Sequence, residues 1–140
     1  MTKVDLFGEG VEFDHIGMSM KSIEHALGGI EQTVDPTQKV AVAFFDLHGA
    51  PIEAVQPQSD DSPVASSLNR GIKLLHLCFR VPNLDNAICV ARRNGLLLVA
   101  SPTPATAFDG RRIAWLFSET MGLFELLEAS RPDCPPPPAR

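Results

Sequence analysis

The chain has 140 residues, of which 44% are hydrophobic and 21% charged, and its formal net charge is −5. This length and composition are typical of one globular domain with a buried core, and they exclude a disordered or fibrous chain. The negative charge and the scattered lysines and arginines argue against a nucleic-acid-binding protein.

Neither a membrane span nor a secretion signal is predicted. No apolar run approaches the roughly 18 residues that a spanning helix needs, and the stretch MTKVDLFGEGVEF lacks the long hydrophobic segment of a signal peptide. The three cysteines, Cys78, Cys89 and Cys134, share no CxxC spacing and are expected to be reduced thiols. We therefore expect a cytoplasmic protein that has no contact with membranes.

Three strands, one short helix and one helical turn are predicted in the first half of the chain. Apolar, β-branched and aromatic residues predict the strands, which cover residues 11–20, 39–47 and 52–57. The helix covers residues 22–30, with Ser22 as its N-cap and glycines near its end. In the polar connection that follows, Ser62 and Pro63 are typical of the N-cap and first residue of a helical turn.

The second half of the chain starts the same order again. An amphipathic helix is predicted over residues 83–95, where Gly95 ends it. The strands predicted around it cover residues 73–81, 96–102, 111–117 and 123–128, and the last two form a hairpin. Residues 130–140 form a proline-rich tail that is expected to be flexible and polyproline-like.

The two halves are an internal repeat. With a shift of 61 positions, DHIGMSMKSIEHAL falls on LHLCFRVPNLDNAI, and His15 on His76. With a shift of 72 positions, VAVAFFDLHGAPIEAVQ falls without a gap on RIAWLFSETMGLFELLE, and Glu53 on Glu125. The shifts differ by 72 − 61 = 11 residues, so the first copy lacks about that many residues between its helix and its penultimate strand. Each copy is therefore a strand, a helix and up to three further strands, with the middle strand of the first copy reduced.

One histidine and one glutamate occur at matching places in each copy, and pseudo-twofold symmetry would bring the four side chains to one point. They are His15, Glu53, His76 and Glu125. Two imidazoles and two carboxylates suit a borderline divalent ion such as Zn, Co, Ni, Mn or Fe, rather than Ca or Mg. A single histidine in a strand is more often structural, so the prediction of a metal site depends on the coincidence of all four residues.

Strand parity predicts which side chains lie near this site, because successive side chains point to opposite faces. His15 shares a face with Ser19, and His76 shares a face with Cys78 and Arg80. The opposite face of each strand is apolar and is expected to pack on the helix of its own copy. We therefore expect both histidines on the concave side of the sheet, where Ser19, Cys78 and Arg80 are candidate substrate-binding residues.

Residues 13–128 resemble the vicinal oxygen chelate superfamily, which includes glyoxalase I, the bleomycin-resistance proteins and the extradiol dioxygenases. The strings that carry the resemblance are DHIGMSMKSIEHAL, VAVAFFDLHGAPIEAVQP followed by DDSPVASSL, LLHLCFRVPNLDNAI, and DGRRIAWLF leading into GLFELLE. Within the superfamily, these strings are particularly similar to the methylmalonyl-CoA epimerases.

The resemblance implies a glyoxalase-like α+β fold, in which two tandem βαβββ modules form an open, cup-shaped mixed sheet. The modules would cover about residues 11–58 and 72–129 of a single domain, residues 1–140. It also implies a homodimer, and one divalent ion that chelates two neighbouring oxygens of a small-molecule substrate. Glu125, or Glu53, would remove a proton from the carbon next to a carbonyl, while the ion stabilises the enolate charge.

Several functions agree with this resemblance. The first is a metal-dependent epimerase or isomerase of a small acyl thioester or a related acid; the second is a glyoxalase I-like lyase. The third is a protein that binds a small molecule without reaction, as the bleomycin-resistance proteins do. Such binders usually lose the ligand set, so four competent donors favour an enzyme. Residues 40–45 contain no ionisable side chain where epimerases carry a second carboxylate, which argues against a two-base mechanism.

Overall fold

The computed structural model describes residues 1–129, so the predicted tail and Cys134 lie outside the described residues. The strands are β1 (Glu12–Ser19), β2 (Thr33–Asp35), β3 (Val40–Leu47), β4 (Ala50–Pro57), β5 (Leu74–Val81), β6 (Leu97–Pro104), β7 (Arg112–Ser118) and β8 (Gly122–Glu128). The α-helices are α1 (Ile23–Leu27), α2 (Pro63–Asn69) and α3 (Leu84–Arg93), and Thr106–Phe108 forms a 3₁₀ turn. Among the described residues, no helix has the length and apolar character needed to span a membrane.

The predicted α+β class with a shortened first copy is confirmed. The middle strand of the first copy, β2, has three residues, whereas its counterpart β6 has eight. The predicted helix over residues 22–30 was too long, because α1 ends at Leu27. Gly28 follows with a positive φ of 74°, and its N–H donates to the carbonyl oxygen of Glu24, which ends the helix.

The chain divides into two compact units, and the division falls within β1 and β5. Unit 2 contains residues 15–77 and 106–109, while unit 1 contains residues 1–14, residues 78–105 and the chain from Gly110 onward. The predicted modules and single-domain organisation stay predictions.

Unit 2 is a mixed sheet with two different faces. Its strand segments follow the order β2-β3-β4-β1-β5, with β1 parallel to β4 and β3 antiparallel to it. On one face, Ile23 of α1 packs against Ala43 and Ala54. Gly17 and Phe44 both pair with Glu53, and residues paired across strands point to the same side of a sheet. These three positions therefore define the other face of unit 2, which we call the glutamate face.

Unit 1 places helix α3 on a set of strands in which β7 runs antiparallel to both of its neighbours, β6 and β8. Its segments follow the order β1-β5-β8-β7-β6. The Asn83 side chain accepts from the backbone N–H of Asn86 and so caps α3. The core of this unit consists of buried apolar residues from the helix and the strands, including Leu84, Ala87, Ile88, Ala91, Ala114, Leu116, Phe124 and Leu126, together with Phe7.

The two closing hairpins differ by one residue in their turns. Phe44 pairs with Glu53 in the first hairpin, and Trp115 pairs with Glu125 in the second. The gapless alignment of the sequences instead places Phe44 on Leu116, which was wrong by one position. The reason is the length of the turns, since two residues separate β3 from β4 and three separate β7 from β8.

Candidate metal centre

Three of the four predicted ligands converge within unit 2. His15 lies on β1, Glu53 on β4 and His76 on β5, and their exposed fractions are 1%, 5% and 7%. The Nε2 atom of His15 lies 3.7 Å from Oε1 of Glu53, and Nε2 of His76 lies 3.8 Å from the same oxygen. The two imidazole centroids are 5.6 Å apart, with the rings at 78°. Two nitrogen donors therefore face one carboxylate oxygen at distances longer than a hydrogen bond.

The strand pairing explains this convergence. Gly17 pairs with Glu53 in the parallel β1–β4 ladder, so His15, two residues before Gly17, projects from the same face as the carboxylate. The amide of Ser19 donates to the carbonyl oxygen of Lys73, which holds the start of β5 beside the end of β1. His76 follows three residues later, and its ring fills the space above Gly17.

The electrostatic environment keeps His76 in the form that a metal ligand requires. Burial, together with a smaller effect of the neighbouring His15, lowers the pKa of His76 to about 3. A neutral imidazole has a lone pair available for coordination, whereas an imidazolium does not. His76 is therefore neutral throughout the physiological pH range.

Two phenylalanine rings pack on the imidazole of His15. Phe108 is stacked on it, with a centroid distance of 5.8 Å and an interplanar angle of 22°. Phe44 approaches it edge-on at 5.7 Å and 81°. Neither residue was predicted from the sequence. The alternation in β3 could have indicated Phe44, because it pairs with Glu53, but no periodic pattern marks the single turn that carries Phe108.

Glu125, the fourth predicted ligand, is buried within unit 1. It lies on β8 opposite Trp115 and is 2% exposed. Its Oε1 atom lies 3.4 Å from the thiol sulfur of Cys78, which donates to it. The pKa of Glu125 is raised to about 8, mainly by burial; the hydrogen bond from Cys78 opposes this rise, and the charge of Asp14 contributes to it. Glu125 is therefore a carboxyl group that holds a proton at neutral pH when no cation neutralises it.

The predicted substrate-binding residues all have contacts within the protein. The Ser19 hydroxyl donates to the carbonyl oxygen of Ile72 at 2.6 Å. The Arg80 guanidinium donates to Asp14 at 2.9 Å and to Glu12 at 2.6 Å. Contact with a substrate stays a prediction for Ser19, Cys78 and Arg80. Among the described residues, neither the buried Cys78 nor the exposed Cys89 forms a disulfide.

The donor chemistry of the unit 2 residues fits a divalent transition metal ion. One potential donor atom from each of His15, Glu53 and His76 lies within 4.8 Å of the others. Imidazole nitrogen combined with a carboxylate oxygen is the ligand type of Zn, Co, Ni, Mn and Fe sites, whereas Ca and Mg sites are built from oxygen. The burial of all three side chains excludes most of the water that would otherwise compete for the ion.

Comparison with known proteins is consistent with this fold. Residues 10–115 match the model of the Glyoxalase/Bleomycin resistance protein/Dioxygenase superfamily. An uncharacterised protein of Bacillus subtilis (strain 168), YqjC, is 32% identical over 127 residues, which cover 82% of this chain and 90% of YqjC.

Solved structures show the same fold. The hypothetical protein BH1468 from Bacillus halodurans C-125 is 25% identical, with a TM-score of 0.73 and coverage of 88% of this chain and 97% of that one. Methylmalonyl-CoA epimerase from Mycobacterium tuberculosis is 23% identical, with a TM-score of 0.74 and coverage of 94% of each chain. Because the family model matches residues 10–115, most of its length, the chain belongs to the Glyoxalase/Bleomycin resistance protein/Dioxygenase superfamily.

Proposed function

We propose that this protein is a metal-dependent enzyme that removes a proton from the carbon next to a carbonyl group of a small molecule. The observation that carries the proposal is the convergence of His15, Glu53 and His76 on one buried point. These residues would hold one divalent ion, of the Zn, Co, Ni, Mn or Fe type.

Glu125 is the proposed fourth ligand. It is the repeat counterpart of Glu53, and each of the two glutamates pairs with an aromatic residue of the preceding strand, Phe44 or Trp115. Both carboxylates are buried. A buried carboxyl group with a raised pKa favours the proposal, because coordination to a cation would stabilise its charged form.

Glu125 is also the proposed base, with Glu53 as the other candidate. When bound, the ion would polarise the substrate carbonyl and stabilise the developing enolate charge. The Cys78 thiol hydrogen-bonds Oε1 of Glu125, so Oε2 is the atom that we expect to accept the proton. Glu125 would act as the base by loosening its bond to the ion; burial raises the pKa of this carboxyl group when no cation neutralises it, so the carboxylate can then accept a proton from carbon.

The proposed reaction is that of an acyl-thioester epimerase or isomerase. The likeness to methylmalonyl-CoA epimerase supports this choice. At 23% identity, this likeness shows a shared fold and not a shared substrate. Homodimerisation, a cytoplasmic location and the acyl thioester all stay predictions.

A glyoxalase I-like lyase is the second candidate, and one observation favours it. The β3 side chains that share the glutamate face are Val40, Val42, Phe44 and Asp46. The first three cannot carry a proton, and Asp46 lies at the hairpin end of the strand, where it is exposed and accepts from the backbone N–H of Gly49. Epimerisation with two bases needs an acid on the far side of the substrate. A transfer between neighbouring carbons needs one carboxylate, which receives the proton and returns it.

Metal analysis tests the proposal first. Protein purified without chelator should contain about one divalent ion per chain, and Co(II) should produce an absorption spectrum that changes in His76→Ala. His25→Ala is the matched control, because His25 is an exposed histidine on α1. If the purified protein contains no metal and Co(II) produces no His76-dependent spectrum, the proposal of a metal-dependent enzyme is wrong. That result would favour a protein that binds a small molecule without reaction.

Isotope exchange tests the substrate. The metal-loaded protein should incorporate deuterium into methylmalonyl-CoA in heavy water faster than buffer alone. If deuterium enters methylmalonyl-CoA no faster than in buffer alone, the proposal of epimerase activity is wrong. Deuterium incorporation into the adduct of a thiol with a 2-oxo compound, or into the corresponding 2-hydroxy compound, would then support the glyoxalase I-like lyase.

A further inference from the structure

We propose that Phe44 and Phe108 form an apolar wall beside the metal centre and determine which substrates bind there. The wall favours substrates that carry an uncharged hydrocarbon group, preferably a planar one, next to the two oxygens that chelate the ion. This inference rests on the proposed function, since it concerns a ligand of the ion that His15 would hold. It assigns a specificity role to two residues that were not among the candidate site residues predicted from the sequence.

The wall is formed by direct ring contacts. Phe44 and Phe108 each pack on the His15 imidazole, at 5.7 and 5.8 Å between centroids. They also touch each other at 5.6 Å, with an interplanar angle of 59°. A molecule that chelates an ion on His15 therefore has these rings as its neighbours within unit 2.

The two rings differ in accessibility, as a binding wall requires. Phe108 is 8% exposed, and Ala107 beside it packs against the cluster of Val40, Val42 and Val55, which fixes this ring. Phe44 is 43% exposed, so part of this side chain is open to a ligand. The wall thus has a fixed inner ring and an accessible outer ring.

The chemistry of β3 disfavours an anionic group on this side. The side chains that share the face of Glu53 are the apolar Val40, Val42 and Phe44, followed at the hairpin end by the exposed carboxylate of Asp46, which would repel an anion. A carboxylate placed here would lose its hydration without gaining a cationic partner, which is unfavourable. An aromatic or alkyl group would instead gain ring contacts.

Two hydroxamates test this inference on the full-length Co(II)-loaded protein. Acetohydroxamate and benzohydroxamate chelate through the same two neighbouring oxygens and differ in a methyl or a phenyl group. After correction for their affinities for free Co(II), we expect benzohydroxamate to bind the wild type roughly tenfold more tightly. Succinic monohydroxamate, which carries a charge, should bind more weakly than acetohydroxamate.

Substitutions assign the preference to the two rings. In Phe44→Ala, benzohydroxamate should bind at most about threefold more tightly than acetohydroxamate. Phe108→Leu should also lower this preference, while the leucine keeps the turn packed. The matched control is Phe45→Ala, because Phe45 lies on the opposite face of β3 and packs near Ile23. Circular dichroism checks that each variant is folded.

The possible results separate the two proposals. Equal binding of acetohydroxamate and benzohydroxamate to the wild type would overturn the apolar wall and leave the metal centre intact. A preference that survives in Phe44→Ala and Phe108→Leu, or disappears in Phe45→Ala, would also overturn it. If the wild type binds no Co(II), the proposed function itself is wrong.

Discussion

The His76 ring occupies the space where a side chain at position 17 would begin. A Cβ atom added to Gly17 would lie 2.1 Å from Cε1 and 2.4 Å from Nδ1 of His76, far inside van der Waals contact. The absence of a side chain at Gly17 is thus a condition for the position of the second imidazole. Gly17 also pairs with Glu53, so it connects two of the proposed ligands.

We therefore expect Gly17→Ala to weaken metal binding strongly. The added methyl group must displace the His76 ring or separate the strands, and loss of a group that orients a ligand typically lowers metal affinity by about 10- to 100-fold. Titration with Co(II) measures the effect. Gly29→Ala is the matched control, because a Cβ at Gly29 meets no atom within 4 Å. An unchanged affinity in Gly17→Ala would show that the position of His76 is unimportant for binding.

Metal binding should release about one proton, from Glu125. Its carboxyl group holds a proton below a pKa of about 8 when no cation is present, and a ligand must be a carboxylate. The affinity should therefore rise between pH 6 and 8, by at most tenfold per pH unit, and become constant above pH 8. Calorimetry in buffers of different ionisation enthalpy counts the proton. In Glu125→Gln the release should vanish; if it persists, another group titrates.

Without metal, the free energy of unfolding should fall as the pH rises from 6.5 to 8. In this range the folded protein keeps the Glu125 proton, while in the unfolded chain the same group, with an ordinary pKa of 4.5, has lost it. The loss is at most about 1.4 kcal/mol per pH unit. Below pH 6.5, His76 has the opposite effect, because its lowered pKa makes the folded state less stable as the pH falls toward 3.

Urea unfolding at several pH values measures this dependence. The slope between pH 6.5 and 8 should be smaller in Glu125→Gln than in the wild type, because the amide does not titrate. Equal slopes in the two proteins would mean that Glu125 ionises normally in the folded state.

Arg112 should contribute to stability through Glu128. Its guanidinium donates to both oxygens of Glu128, at 3.0 and 2.8 Å, and Glu128 is 8% exposed. Arg112→Ala leaves this carboxylate largely buried without its principal partner, and we expect a loss of about 2 kcal/mol in the free energy of unfolding. The control is Asp85→Ala, which removes the exposed partner of Arg112 and should cost less than about 0.5 kcal/mol. Similar effects of both substitutions would contradict this explanation.

Much of the fold was predictable because its signals are local. The helix α3 has an apolar stripe and an Asn83 cap, and the strands alternate or are rich in β-branched residues. The repeat added non-local information, since it selected His15 and His76 from the four histidines of the chain. Unit 2 indeed brings these two histidines together with Glu53.

Other features depend on contacts that no sequence pattern indicates. The stacking of Phe108 on His15 joins a single turn to a strand that is about ninety positions earlier in the chain. The role of Gly17 follows from the size of the space beside it, which the sequence does not specify. The exact match of the two hairpins depended on turn length, so a gapless alignment gave Phe44 the wrong counterpart.

The boundaries of the compact units do not coincide with those of the sequence repeat. Unit 2 includes His76 and Phe108, although the repeat assigns both residues to the second copy. A protein consisting of one copy would thus provide a single histidine and a single glutamate, and a second molecule would have to supply the rest. Joining two copies in one chain replaces that encounter by an intramolecular one, so His76 comes to lie beside His15 and Glu53 without a second molecule.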